Sequence, residues 1–179
     1  MRVLSFLVLS FTLLVTSGCA SLSKEECLSG NWKQIGYNDG ARGGDASNNL
    51  RSHSKSCAEH GVSINNDAYY AGHKEGLKKF CLPANGRRHG EQGLHYSGAC
   101  PAELESAFLL QYTYGKKIHD AIQEYNQTKR DIYDKEKALE KEADSRIRDA
   151  LRSEITTLDK LLRNQQRNID RLNDNAPPY

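Results

Sequence analysis

The apolar positions of this chain follow three different patterns. Val3 to Val15 is an apolar run broken only by Ser5, Ser10 and Thr12, and its 13 residues follow Met1-Arg2. A bilayer-spanning helix needs roughly 20 such residues, so a short run behind a positive start predicts a secretory leader. Next comes a stripe of small and aromatic residues. Trp32, Gly36 and Gly40 are four apart, as are Ala68, Gly72, Gly76 and Phe80. That spacing puts each set on one helix face. Glycine costs a helix about 1 kcal/mol relative to alanine. Its repeated use predicts close approach of another helix or loop to bare backbone; the alternative is a set of turns. Tyr-x-x-Gly recurs at Tyr37–Gly40, Tyr69–Gly72 and Tyr112–Gly115, a degenerate internal repeat.

The third pattern begins after Pro101. Ile118, Ile122, Tyr125, Ile132 and Leu139 keep a helical spacing in part, interrupted by Lys129 and Glu136. Leu151, Ile155, Leu158, Leu162, Gln165, Ile169 and Leu172 then step alternately by four and three. This is a heptad seam with one polar member. The two registers join only through a slip around Arg146–Leu151. Such a seam seeks a second helix, from this chain, another copy or an envelope protein; a single helix rich in charge pairs is the alternative. Straight, about 72 residues would reach roughly 108 Å. Folded back, the bend belongs near Asn126–Thr128 or Asp144–Arg148.

Punctuation divides the chain further. Gly43-Gly44-Asp45 stops a first helix, Asn48-Asn49 opens a second that ends near Gly61, and Asn65-Asn66-Asp67 caps a third over Ala68–Phe80. Pro83, Gly86, Gly90, Gly93 and Gly98 predict an irregular loop closed by Cys100-Pro101. The expected fold is all-α, a small disulfide-stapled helical domain followed by a long coiled-coil-like helical tail. Its expected divisions are a leader over 1–18, a Gly/Cys-rich domain over 19–101 and a charged tail over 102–179.

Composition sharpens this division. All 14 glycines lie at or before Gly115, so the last 64 residues have none to break a helix. Only 37% of the 179 residues are hydrophobic, which leaves a thin core and makes staples valuable. Lys+Arg number 25 against 23 Asp+Glu, and a net charge of +2 argues against nucleic acid as the main partner.

Candidate chemistry starts at Thr16-Ser17-Gly18-Cys19, where small residues before a cysteine resemble the bacterial lipobox. Cys19 is then the expected lipidation site, palmitate included, and the new N-terminus. An ordinary leader with an incidental cysteine is the alternative. Stable anchoring takes two or more acyl chains. Ala20, rather than Asp, favours the outer membrane, on its periplasmic side. Cys27, Cys57, Cys81 and Cys100 remain, an even number in an oxidising compartment. Two disulfides are expected. The favoured pairing is Cys27–Cys57 and Cys81–Cys100, because two antiparallel segments would bring the first pair together. Each bridge is worth roughly 3–4 kcal/mol. The rival is a metal site using Cys57-Ala-Glu-His60, but no second paired motif supports it. No metal or cofactor is expected.

Arg87-Arg88-His89 is the densest basic spot of the domain and could contact an anionic ligand; a solvated loop is the plain alternative. No nucleophile elbow, phosphate loop or zinc-protease motif occurs. His53, His60, His73, His89 and His95 are expected in solvent or loops, with none paired to a nucleophile, so enzymatic activity is not expected. Such activity would require a cleft holding a paired histidine and carboxylate.

The order of motifs resembles a known family. Cys27, Trp32-x-x-x-Gly36-x-x-x-Gly40-x-x-Gly43, Cys57-x-x-x-Gly61, Tyr70-x-Gly72-x-x-x-Gly76-Leu77, Phe80-Cys81, Gly90-x-x-Gly93, Tyr96 and Cys100-Pro101 stand in that order behind the lipobox. Together they are similar to the domain-of-unknown-function family numbered 2799, found in Gram-negative envelope lipoproteins. The resemblance implies the compartment and the cysteine framework, and no activity. The expected function is an envelope lipoprotein acting in assembly or protein interaction. Its partners would be the membrane, through the anchor, and a second copy or an envelope protein through Leu151, Ile155, Leu158, Leu162, Ile169 and Leu172. The alternative is a periplasmic binding module for a cell-wall or lipid ligand.

Overall fold

A computed structural model describes residues 21–179, and the leader and Cys19 lie outside the described residues. Seven helices and no strands make up the described part: α1 (Lys24–Ser29), α2 (Trp32–Gly40), α3 (Ala46–Ala58), α4 (Asn66–Phe80), α5 (Pro83–Glu91), α6 (Ala102–Lys141) and α7 (Ser145–Asp174). No described helix is long and apolar enough to cross a membrane.

Local signals start most of these helices. Ser23 and Glu26 form a capping box on α1, a reciprocal satisfaction of orphan backbone donors. Asp45 accepts from Asn48 N at 2.7 Å, so α3 begins a little before the expected Asn48-Asn49. Asn65 accepts from Ala68 N at 3.0 Å and starts α4.

The glycine stripes form the central contact. α2 and α4 pack so closely that a methyl on Gly36 would overlap the Tyr69 carbonyl, one on Gly40 that of His73, one on Gly72 that of Lys33 and one on Gly76 that of Tyr37. α5 corrects the sequence expectation. The segment read as a loop is a helix, with Pro83 in its first turn, where a missing N–H costs nothing. Its glycines pack too: Gly86 meets the Phe108 carbonyl and Gly90 that of Tyr112, while Gly115 of α6 meets that of Arg87.

The two contacts repeat one design. Gly36, Gly40 and Gly43 are spaced like Gly86, Gly90 and Gly93. Tyr69, His73, Gly76 and Phe80 are spaced like Phe108, Tyr112, Gly115 and His119. Gly43 (φ 75°) lies under the Phe80 ring, and Gly93 (φ 69°) under that of His119. Each unit has its own small core. The first holds Leu22, Trp32, Ile35, Leu50 and Tyr69, and the second Leu77, Phe80 and Phe108. A disulfide joins the core of each: Cys27–Cys57 in the first and Cys81–Cys100 in the second. The second unit runs past residue 101 into α6, which supplies Phe108 and Gly115.

The remainder of α6 pairs with α7. The chain reverses over Glu142–Asp144, at the second of the two expected bends. Asp144 caps α7 by accepting from Arg146 N at 2.8 Å, and Arg148 donates to the Leu139 and Glu142 carbonyls that end α6. Leu151, Ile155, Leu158, Leu162 and Leu172 are half-buried and Ile169 is buried, all on the hairpin seam. The seam is thus covered by α6 of the same chain. The Tyr114 hydroxyl donates to the Leu172 carbonyl at 2.6 Å, which returns the end of α7 to the second unit.

Candidate functional site

Arg87 and Arg88, adjacent in sequence, have separate environments. Arg87 is only 6% exposed. Its Nε donates to Gln111 Oε1 at 2.9 Å, its Nη2 donates to the Pro177 carbonyl at 3.0 Å, and its guanidinium lies 4.7 Å over the Tyr114 ring. Gln111 Nε2 also donates to the Pro178 carbonyl at 2.7 Å. The expected ligand contact at Arg87 is therefore corrected: it is spent on strapping the C-terminal segment, because a buried guanidinium needs acceptors and this segment supplies them.

Arg88 is exposed, donates to Asn85 Oδ1, and lines a cleft of about 380 Å³ between the two units. Arg42, Lys79 and His89 share this cleft, with Phe80 and Leu94 as its apolar part. Among the described residues, Arg42, Lys79 and Arg88 have no carboxylate within ion-pair distance. Three helix ends build the cleft. Ala41-Arg42 follows α2, Lys79-Phe80 ends α4, and Arg88 and His89 lie in the last turn of α5.

A second cavity of about 150 Å³ lies on the first unit, lined in part by Ser21, Asn38, Asp39, Arg42 and His53. Here the expectation that the histidines sit in solvent or loops fails. His53 is 5% exposed and lies within α3, and His73 is buried within α4. His53 Nε2 lies 2.8 Å from Asp39 Oδ2, and its Nδ1 lies 3.0 Å from Ser21 Oγ. The Tyr69 hydroxyl donates to the same Asp39 oxygen at 2.7 Å. Burial, and then the Asp39 carboxylate, push the Tyr69 phenol above its ordinary value. The Ser21 amide donates to Ser56 Oγ at 3.2 Å, which holds the chain start against α3. A signal for this cluster exists in the sequence. Leu50, His53 and Cys57 share one face of α3, and Asp39 adjoins Gly40 on the packed face of α2.

The other buried or partly buried histidines bind main chain. His73 Nε2 is 2.7 Å from the Gly44 carbonyl, His89 Nε2 3.1 Å from that of His95, and His119 Nδ1 3.0 Å from that of Glu91. Cys57 is in a disulfide, which removes the thiolate a metal at Cys57-Ala-Glu-His60 would need.

Residues 31–117 match the family described as a protein of unknown function (DUF2799). This stretch belongs to that family. The DUF2799 region runs from the start of α2 to just past Gly115, so it takes in both glycine contacts and stops where the α6–α7 hairpin takes over. No curated protein and no solved structure matches the chain.

Proposed function

We propose that this protein is a lipid-anchored envelope protein, held at the outer membrane on its periplasmic side by acylated Cys19, and that it works by binding. Its ligand is an anionic group of the cell wall or membrane, taken up by the cleft of Arg42, Lys79 and Arg88. The observation that carries this reading is a concave site holding three cations without partner carboxylates, beside the apolar Phe80 and Leu94. An unpaired cation cluster raises the local concentration of anions. A phosphate or carboxylate next to a short apolar stretch fits the lining.

The assembly reading keeps one supporting observation. α7's seam is covered by α6, but Tyr133, Ile147 and Leu161 of the hairpin remain exposed. They would carry contacts to a second copy or an envelope protein.

Two measurements test the proposal. Cys19→Ala should abolish palmitate labelling and release the protein from membrane fractions; retention would remove the anchor. Binding to vesicles with anionic lipid, and to sedimented peptidoglycan, should weaken with added salt. The triple change Arg42→Ala/Lys79→Ala/Arg88→Ala should weaken it about ten-fold, each exposed contact being worth roughly 0.5 kcal/mol. Unchanged binding by that variant would refute the cleft as the site.

A further inference from the structure

Ser21, His53 and Asp39 are linked in the order hydroxyl, imidazole, carboxylate. A carboxylate only accepts, so His53 Nε2 carries the ring proton that it donates to Asp39. In the neutral ring Nδ1 is then the acceptor for the Ser21 hydroxyl, which also lies 3.2 Å from Ser56 Oγ; with His53 it has the relation of a nucleophile to its general base. Asp39 and His53 are buried, whereas Ser21 is exposed at the rim of the 150 Å³ cavity. The base is thus sheltered from water and the hydroxyl is reachable.

We infer that Ser21 is the nucleophile of a second site on this protein, one that hydrolyses small acyl esters of polar alcohols. The cavity is too small for a long acyl chain and takes an acetyl-sized group. Its polar lining, which includes the Glu26 and Asp39 carboxylates, favours an uncharged, hydroxylated alcohol. Two donors line the same cavity. Asn38 Oδ1 accepts from Gln34 Nε2 at 2.9 Å, leaving the amide nitrogen of Asn38 without a described partner, and the Arg42 guanidinium forms no ion pair among the described residues, although the Glu26 and Asp39 carboxylates line the same cavity. These are the groups to stabilise an oxyanion.

In the first step Ser21 Oγ adds to the ester carbonyl carbon while its proton passes to His53 Nδ1, and the carbonyl π pair moves onto oxygen. Re-forming the carbonyl breaks the ester C–O bond, and the leaving oxygen takes the proton from His53 Nδ1. Water then adds to the acyl-serine by the same proton route, releasing the acid and restoring Ser21. The sum is an ester and water giving an alcohol and an acid. Ser21 and His53 are the catalytic residues. Asp39 is a positioning residue, and Tyr69 in turn holds its carboxylate. The Ser21–His53–Asp39 chain takes no residue from the anion-binding cleft, although Arg42 lines both cavities.

The full-length protein in detergent, incubated with a fluorophosphonate probe and with p-nitrophenyl acetate, provides the test. Phosphonylation should map to Ser21 by mass spectrometry. Ser21→Ala and His53→Ala should each lower acetate hydrolysis by at least ~100-fold, with added imidazole restoring part of the His53→Ala loss. Asp39→Asn should lower kcat and leave KM in place. p-Nitrophenyl octanoate should be a poorer substrate than the acetate. Ser21→Ala should melt like the unaltered protein, since its side chain is peripheral, and should keep anionic-vesicle binding. Absence of label on Ser21 in the folded protein, or a wild-type hydrolysis rate in Ser21→Ala, would overturn the inference.

Discussion

At the scale of single residues, Gly72 sets the distance between α2 and α4. A methyl there would run into the Lys33 carbonyl, which belongs to backbone and cannot rotate away. Alanine would favour an isolated helix by about 1 kcal/mol, but overpacking at a rigid contact costs roughly 1–3 kcal/mol. Because the obstruction is main chain, the larger figure governs, and Gly72→Ala should lose about 2 kcal/mol in urea unfolding. The second unit tests the same logic in reverse. By the shared spacing, Gln111 stands where the first unit has Gly72, and it is 1% exposed. There the side chain replaces a backbone contact and becomes the acceptor for Arg87.

At the scale of elements, the hairpin seam contains one flaw. Among the described residues Gln165 Oε1 is buried without a hydrogen-bond partner, and leaving such an acceptor unpaired costs about 1–3 kcal/mol. Gln165→Leu should therefore raise stability by about 1 kcal/mol, read as a higher urea midpoint with an unchanged slope. The seam was legible because its four-three steps run through Leu151, Ile155, Leu158 and Leu162. α2, α3 and α4 were legible from caps and stripe spacing. α5 was not, because Pro83, Gly86 and Gly90 carry the composition of a loop. They form a helix only because α6 lies close enough to use the absent side chains. His53 was misread for a related reason. Its place on the face of Leu50 and Cys57 signals burial, but the spacing along α3 does not say that Asp39 of another helix is the partner brought to it.

At the scale of the whole molecule, the C-terminal segment straps the hairpin to the second unit. Arg87 and Gln111 hold the Pro177 and Pro178 carbonyls, and the Arg87 guanidinium lies 5.6 Å from the centre of the Tyr179 ring. Deleting residues 176–179 leaves that buried cation short of acceptors. The loss should be about 2 kcal/mol, or a fall of roughly 4–8 °C in Tm by scanning calorimetry. Equal melting of the shortened chain would show that water replaces the strap at no cost.

The sequence by itself determined the helical class, the contrast between a glycine-bearing part and a glycine-free tail, the even set of cysteines and the seam; which cysteines pair was one favoured choice among three until the fold fixed it. Each depends on periodicity, caps or spacing along a single chain. Tertiary structure alone decided that α5 is a helix, that the seam closes on α6, and that Arg87 is buried while Arg88 faces a cleft. It also brought Ser21, Asp39, His53 and Tyr69 together. These are pairings between residues on different segments of the chain; bare glycine backbone lets α2 meet α4 and α5 meet α6, whereas apolar side chains close α7 on α6.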